Sequence, residues 1–191
     1  MFGDLTVQNS IMSSRFLFLI LLSLAILSCR DGSENSASRY RPGKDDMADI
    51  NRYFVQKDRE RIQSYSERKG IAMKESPTGL WYNIEKEGNG TFFKDNDKII
   101  FQYECSLLDG TLAYSSKELG PWEIILGRSE LPTGLNEGLK LLKPGGVAVF
   151  IVPPFLAYGL IGDSKKIPPR ATVVYNIHII SKDVYLPSFR Q

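Results

Sequence analysis

Residues 157–180 read AYGLIGDSKKIPPRATVVYNIHII, and this stretch decides the fold. Its second half opens a strand over 171–181. Val173, Tyr175 and Ile177 alternate with Val174, Asn176 and His178, the period of a chain with two distinct faces. Its first half ends a long loop, Pro153 to Arg170, in which Tyr158 stands beside Gly159, an unnatural place for a buried core tyrosine.

Working outward, Val147 to Val152 (VAVFIV) reads as a buried strand. Pro144-Gly145-Gly146 ends a short helix that carries Pro132 near its first turn and Leu135, Leu139 and Leu142 at i, i+4 and i+7. Trp122, Ile124 and Leu126 alternate. Over Asp97 to Leu108, Ile99, Phe101, Tyr103 and Cys105 share one face and lead into the Asp109-Gly110 turn. Leu80, Tyr82 and Ile84 form a first strand after Pro77, and Lys86 to Gly90 turns the chain back. The pattern predicts an α+β domain over residues 77–182, an antiparallel twisted sheet around one short helix. Residues 183–191 form a tail that either adds a strand or hangs free.

Residues 44–70 have a different period. Met47, Ile50, Phe54, Ile62 and Tyr65 recur near helical spacing, Asp45 and Asp46 suit the positive end of the helix dipole, and Gly70 is a natural stop. This predicts an amphipathic N-terminal helix whose apolar stripe has a gap between Val55 and Ile62. It docks on the following domain or serves a homodimer or partner contact. Its charges from Lys57 to Arg61 read as a solvated face.

Composition excludes several functions. The 191 residues carry 24 Lys plus Arg against 22 Asp plus Glu, a net charge of +2, too balanced for a protein held to nucleic acid by phosphate neutralisation. His178 is the one histidine, and with two distant cysteines it builds no zinc site, so no metal is expected. A hydrolytic triad would have to be built around His178, whose strand setting argues for an ordinary role. The phosphate-cradling motifs G-x-x-x-x-G-K-[ST] and G-x-G-x-x-G do not occur, and no cofactor is expected.

The N-terminus reads as an address. Phe16 to Leu27 (FLFLILLSLAIL) is an apolar run shorter than the roughly twenty residues of a spanning helix, with Arg15 before it and Ser28-Cys29 after it. Residues 1–28 are expected to be a signal peptide, with Met12 a more usual start for such a leader than Met1. Ile26-Leu27-Ser28-Cys29 resembles the bacterial lipoprotein box, which implies a lipid on Cys29, a polar tether over 29–43, and attachment to a bacterial membrane, on the periplasmic face of the outer membrane. Cys105 is then left without a disulfide partner and is expected to be a small buried hydrophobe.

Residues 77–182 resemble the FK506-binding-protein (FKBP) family of peptidyl-prolyl cis-trans isomerases. The resemblance rests on Phe101-Gln102-Tyr103 before the Asp109-Gly110 hairpin, Ser115-Ser116 after it, Leu126-Gly127, and Leu131-Pro132-Thr133-Gly134-Leu135-Asn136-Glu137-Gly138-Leu139. It continues through Leu142-Lys143-Pro144-Gly145-Gly146, Ala157-Tyr158-Gly159 and Ile167-Pro168-Pro169-Arg170-Ala171-Thr172-Val173-Val174-Tyr175. The last two motifs at their mutual spacing are the most specific. With a lipid address and a charged helix in front, the chain also resembles the gliding-motility-associated lipoprotein isomerases of gliding bacteria.

The resemblance implies proline-containing polypeptides as substrates. Turning a prolyl bond crosses a barrier of about 18–20 kcal/mol set by amide resonance. It needs a dry pocket that favours the twisted amide and a donor or two for peptide carbonyls, with no nucleophile or metal. By resemblance, Tyr158 holds a substrate carbonyl, and Tyr103 and Trp122 form walls of the same catalytic pocket. Leu131 and Pro132 stand at the family's Val-Ile pair, Ile167 at a wall, and Tyr175 in place of an inner phenylalanine. Three departures imply attenuated activity and poor affinity for the family's macrolide ligands. Pro132 has no N–H to donate; Leu135 replaces the floor tryptophan; Ala113-Tyr114 replaces Phe-Asp. Tyr114 either turns inward and refills the pocket or stands exposed. A worn pocket would instead suit a non-enzymatic binding module or chaperone in an envelope motility or secretion machine.

Overall fold

Residues 43–184 are described by the computed structural model of the chain, with side chains as far as Ser181. The signal segment, Cys29 and its tether, and the tail beyond Val184 lie outside the described residues. Helix α1 (Lys44–Lys69) is followed by β1 (Lys74–Glu75), β2 (Trp81–Lys86), β3 (Asp97–Leu107), β4 (Leu112–Ser115), the single turn α2 (Ser116–Leu119) and β5 (Trp122–Ile125). Then come α3 (Thr133–Leu139), β6 (Val147–Val152), a 3-10 turn at Pro154–Leu156 and β7 (Val173–Val184). Every pairing is antiparallel, in the order β1-β2-β6-β7-β3-β4, with β5 also paired to β3. The α+β class and the antiparallel sheet around a short helix are as expected.

Alternation along the strands sorts the side chains into two cores. Ile99, Phe101, Tyr103 and Cys105 of β3, Ala148, Phe150 and Val152 of β6, and Val173, Tyr175, Ile177 and Ile179 of β7 meet Leu135, Leu139 and Leu142. Gly134 and Gly138 let α3 lie close on β6. A Cβ at 134 would come within 2.6 Å of Val152 Cγ1, and one at 138 within 2.9 Å of the Phe150 ring. The opposite face buries Val149, Ile151 and Val174 under Ile62 and Tyr65 of α1. Strand β6 thus has both faces covered, which is why VAVFIV reads as one apolar run rather than an alternation.

Helix α1 departs from its expected stripe. Met47, Ile50, Tyr53 and Val55 are exposed, Phe54 is half-buried, and only Ile62 and Tyr65 dock as apolar residues. The gap between Val55 and Ile62 is filled by Asp58, which is buried. Strand β7 runs to Val184, two residues into the expected tail, because β3 offers Asp97 and Lys98 as pairing partners for Val184 and Asp183. The short elements β1, β4 and α2 carry too few residues for a period to show.

Ile62 is 1% exposed and central to the second core. Full burial of such a side chain is worth about 1.5–3 kcal/mol, and truncation adds a cavity. Ile62→Ala is expected to lower the unfolding free energy by about 2–4 kcal/mol in urea titration. A change near zero would mean that α1 does not dock in solution.

Candidate functional site

Strand register brings the aromatic residues together. Phe101 pairs with Trp122 across β3 and β5, and Tyr103 lies two residues on, on the same face. The Tyr103 and Trp122 rings are 5.1 Å apart, centre to centre, tilted by 40°, and Phe101 packs against both at 6.2 and 5.8 Å. On the other side of β3, Cys105 pairs directly with Tyr175 of β7. Tyr158 hangs from the loop after the Pro154–Leu156 turn, where the Gly159 N–H donates to the Pro154 carbonyl at 2.8 Å.

A cavity of about 450 Å3 lies among these groups. Tyr103, Trp122, Tyr158 and Tyr175 line it, with Cys105 behind, and Tyr114, Leu119, Pro121, Asp163 and Lys165 at the remaining sides. The Tyr158 and Tyr175 hydroxyls are 3.2 Å apart and share a hydrogen bond. When Tyr175 donates, the Tyr158 proton is left to point into the cavity at a peptide carbonyl. Burial raises the phenols of Tyr103 and Tyr158 and pushes Tyr175 well above the ordinary value, so all three are neutral donors at physiological pH. Burial also pushes the Cys105 thiol up to about 11, although its hydrogen bond with Tyr175 works the other way.

Tyr114 stands at the cavity and does not fill it. Its hydroxyl donates to the Asp163 carboxylate, 49 residues away in sequence, and that bond pushes the phenol up to about 12. Asp163 Oδ1 also accepts from the N–H groups of Lys165 at 2.9 Å and Ile167 at 2.8 Å. Burial drives the Asp163 carboxyl up, but the Tyr114 hydroxyl and the loop N–H groups outweigh it and hold the carboxyl below the usual carboxylate range. Its bonds therefore support the loop above ordinary carboxylate pH and are lost as the pH falls through the depressed value. The carboxylate absent at position 114 returns to the cavity from the loop. Asp163 has no motif around it, and only the spatial pairing with Tyr114 reveals it.

The remaining sequence-derived positions do not line this cavity. Leu135 is fully buried in the core, Ile167 and Ala113 are each 2% exposed, Pro132 is buried, and Leu131 is half-buried against the core. Pro132 is the N-cap residue of α3, a position where the missing N–H costs the helix nothing. Another hollow, of about 480 Å3, is lined in part by Asp58, Arg59, Glu75 and Ser76. Val55, Ile62, Trp81 and Phe155 line it as well, but it carries none of the walls Tyr103, Trp122, Tyr158 and Tyr175. Among the described residues, no group of three or more His, Cys, Asp or Glu side chains could hold a metal ion.

With its thiol at about 11, Cys105 is about 0.1% thiolate at pH 8. In native protein at that pH, iodoacetamide is expected to alkylate Cys105 more than about a hundredfold more slowly than free cysteine, read by peptide mass spectrometry. Alkylation at a comparable rate would show that the wall behind the cavity opens to solvent.

The family model described as FKBP-type peptidyl-prolyl cis-trans isomerase matches residues 89–180. The probable FKBP-type isomerase FkpA of Neisseria meningitidis serogroup B is 38% identical over 108 residues, 56% of this chain and 39% of that protein. FkpA of Escherichia coli K12 is 34% identical over 124 residues, 65% of this chain and 44% of that protein. The chain thus spans less than half the length of these relatives. Among solved structures, FkpA from Escherichia coli matches 96% of this chain and 74% of its own with a TM-score of 0.60 at 23% identity, a likeness of fold. AtFKBP13 matches 59% of this chain and 100% of its own with a TM-score of 0.55 at 27% identity. Residues 89–180, which carry every wall of the cavity, are therefore similar to the FKBP-type peptidyl-prolyl cis-trans isomerase family.

Proposed function

We propose that the chain is a peptidyl-prolyl cis-trans isomerase that acts on proline-containing polypeptides, held in a bacterial envelope by a lipid on Cys29. The observation that carries the catalytic reading is the cavity walled by Tyr103, Trp122 and Tyr175, with the Tyr158 hydroxyl on it. A prolyl ring seated against these walls leaves water, and its amide loses the solvent that stabilises the planar, more polar form. Tyr158 donates to a substrate carbonyl and fixes the peptide while the bond turns. Such a step transfers no proton and uses no metal. Slow prolyl isomerisation limits folding, and exported proteins would be the clients.

The activity is attenuated in this reading, because Pro132 offers no N–H and Leu135 and Ala113 replace larger rings of the family pattern. Those losses are also what a non-enzymatic binding module would show. The exposed Leu119, Leu160 and Ile161 favour such contact with apolar polypeptide, at 64%, 71% and 77% exposure. The narrower reading as a gliding-motility lipoprotein rests on the order of address, charged helix and isomerase domain. The exposed Met47, Ile50, Tyr53 and Val55 of α1 suit a homodimer or partner contact.

In a proline-limited refolding assay, the full chain in detergent is expected to accelerate the slow phase. Tyr158→Phe and Trp122→Ala should each reduce that acceleration by roughly tenfold. Well-folded protein with no acceleration would move the function to binding. Mass spectrometry of the mature chain should find a diacylglyceryl-modified Cys29 at its N-terminus, and Cys29→Ser should release the protein from membranes. An unmodified N-terminus elsewhere would remove the anchor.

A further inference from the structure

Asp58 is a buried carboxylate on a helix that is otherwise charged only where it meets water. Its side chain is 5% exposed. It follows Phe54 by one turn and precedes Ile62 by one turn, so it occupies the centre of the docking stripe. A helix that only docked would carry an apolar residue there, because a buried charge costs stability unless it is paired.

Its partner is Arg170, whose guanidinium donates to Asp58 Oδ2 at 3.3 Å and lies over the Phe54 ring, 3.8 Å from its centre. The other charge near Asp58 is Arg61 on the same helix, 4.0 Å away and 71% exposed. Phe54 and Asp58 thus hold the Arg170 side chain between a ring face and a carboxylate.

Arg170 ends the loop that carries Tyr158. Its φ is +57°, in the left-handed region that side chains rarely adopt, so its backbone must be held there by its surroundings. Its N–H donates to the Gly159 carbonyl at 3.0 Å and closes the base of the loop one residue after Tyr158. A cleft of about 290 Å3 remains between α1 and this loop, so Arg170 spans a joint that apolar side chains leave unfilled.

We propose that Asp58 and Phe54 are positioning residues for the isomerase site: through Arg170 they hold the loop closed at Gly159 and keep Tyr158 on the cavity. The proposal rests on the isomerase reading for its activity arm only. It assigns the N-terminal helix a part in catalysis from a side of the sheet that substrate does not touch.

The test compares Asp58→Asn and Phe54→Leu with Phe54→Tyr, which keeps the ring face, and with Arg59→Ala. Arg59 pairs with Glu75 of β1 at 2.6 Å and ties α1 down away from the loop. In the full chain, Asp58→Asn and Phe54→Leu should speed hydrogen exchange at the Arg170 amide at least about tenfold. They should lower kcat by about threefold to tenfold with KM near the wild-type value. Phe54→Tyr and Arg59→Ala should change neither. Equal exchange at Arg170 in all variants overturns the proposal, as does faster exchange with unchanged kcat. So does a loss in Arg59→Ala equal to that in Asp58→Asn, which would reduce α1 to general support. If Asp58→Asn fails to fold, the Phe54 pair decides the same question. A wild type without isomerase activity would sink the catalytic reading, while the exchange comparison alone would still support or overturn the brace.

Discussion

Strand β7 pairs with β3 along one edge and with β6 along the other, and this double pairing fixes which side chains meet. Because side chains alternate, the register that puts Tyr175 opposite Cys105 also puts Val174 on the reverse face, opposite Ile151 of β6. One face receives α3 and becomes the wall of the cavity. The other receives Ile62 and Tyr65 of α1. A slip of one residue would turn Tyr175 away from Tyr158 and expose the core at the same time. Stability of the sheet and geometry of the site are therefore one constraint.

The parts of the fold written as local periods were legible in the sequence. The alternation of Ile99, Phe101, Tyr103 and Cys105, the spacing of Leu135, Leu139 and Leu142, and the helix over 44–69 all stand in the structure. The walls Tyr103, Trp122, Tyr158 and Tyr175 could be placed from the motifs around them, since three sit on well-marked strands and Tyr158 stands beside Gly159 in a marked loop. Pairings between distant residues leave no such trace. Tyr114 meets Asp163 across 49 positions and Asp58 meets Arg170 across 112, and neither acid lies in a recognisable pattern. The gap in the stripe of α1 was visible, but not its meaning, because a charge at a docking position makes sense only once its partner is in place. Leu131, Pro132, Leu135, Ile167 and Ala113 carry positions from a family pattern, and in this chain they are buried or half-buried off the cavity lining.

The cavity obtains its polarity from an unusual distribution of groups. Two phenols that burial keeps neutral supply hydroxyls at the inner wall, and the carboxylate sits on the loop and not on the strand beside Ala113. The Asp163 bonds to Tyr114, Lys165 and Ile167 thus make the loop part of the wall. Arg170 closes the same loop at its base. The loop is pinned at two points, one facing the cavity and one facing α1, with Tyr158 just outside the span between them.

Helix α1 also acts as a cover. Val149, Ile151 and Val174 form an apolar strip on the outer face of β6 and β7, and in the folded chain Ile62 and Tyr65 lie over it. A version trimmed to the sheet and its inner helix would keep every wall of the cavity yet present that strip, with Trp81 and Met73 beside it, to water. Such a strip invites self-association. The segment that looks like an accessory to the sheet is what closes its second face to water.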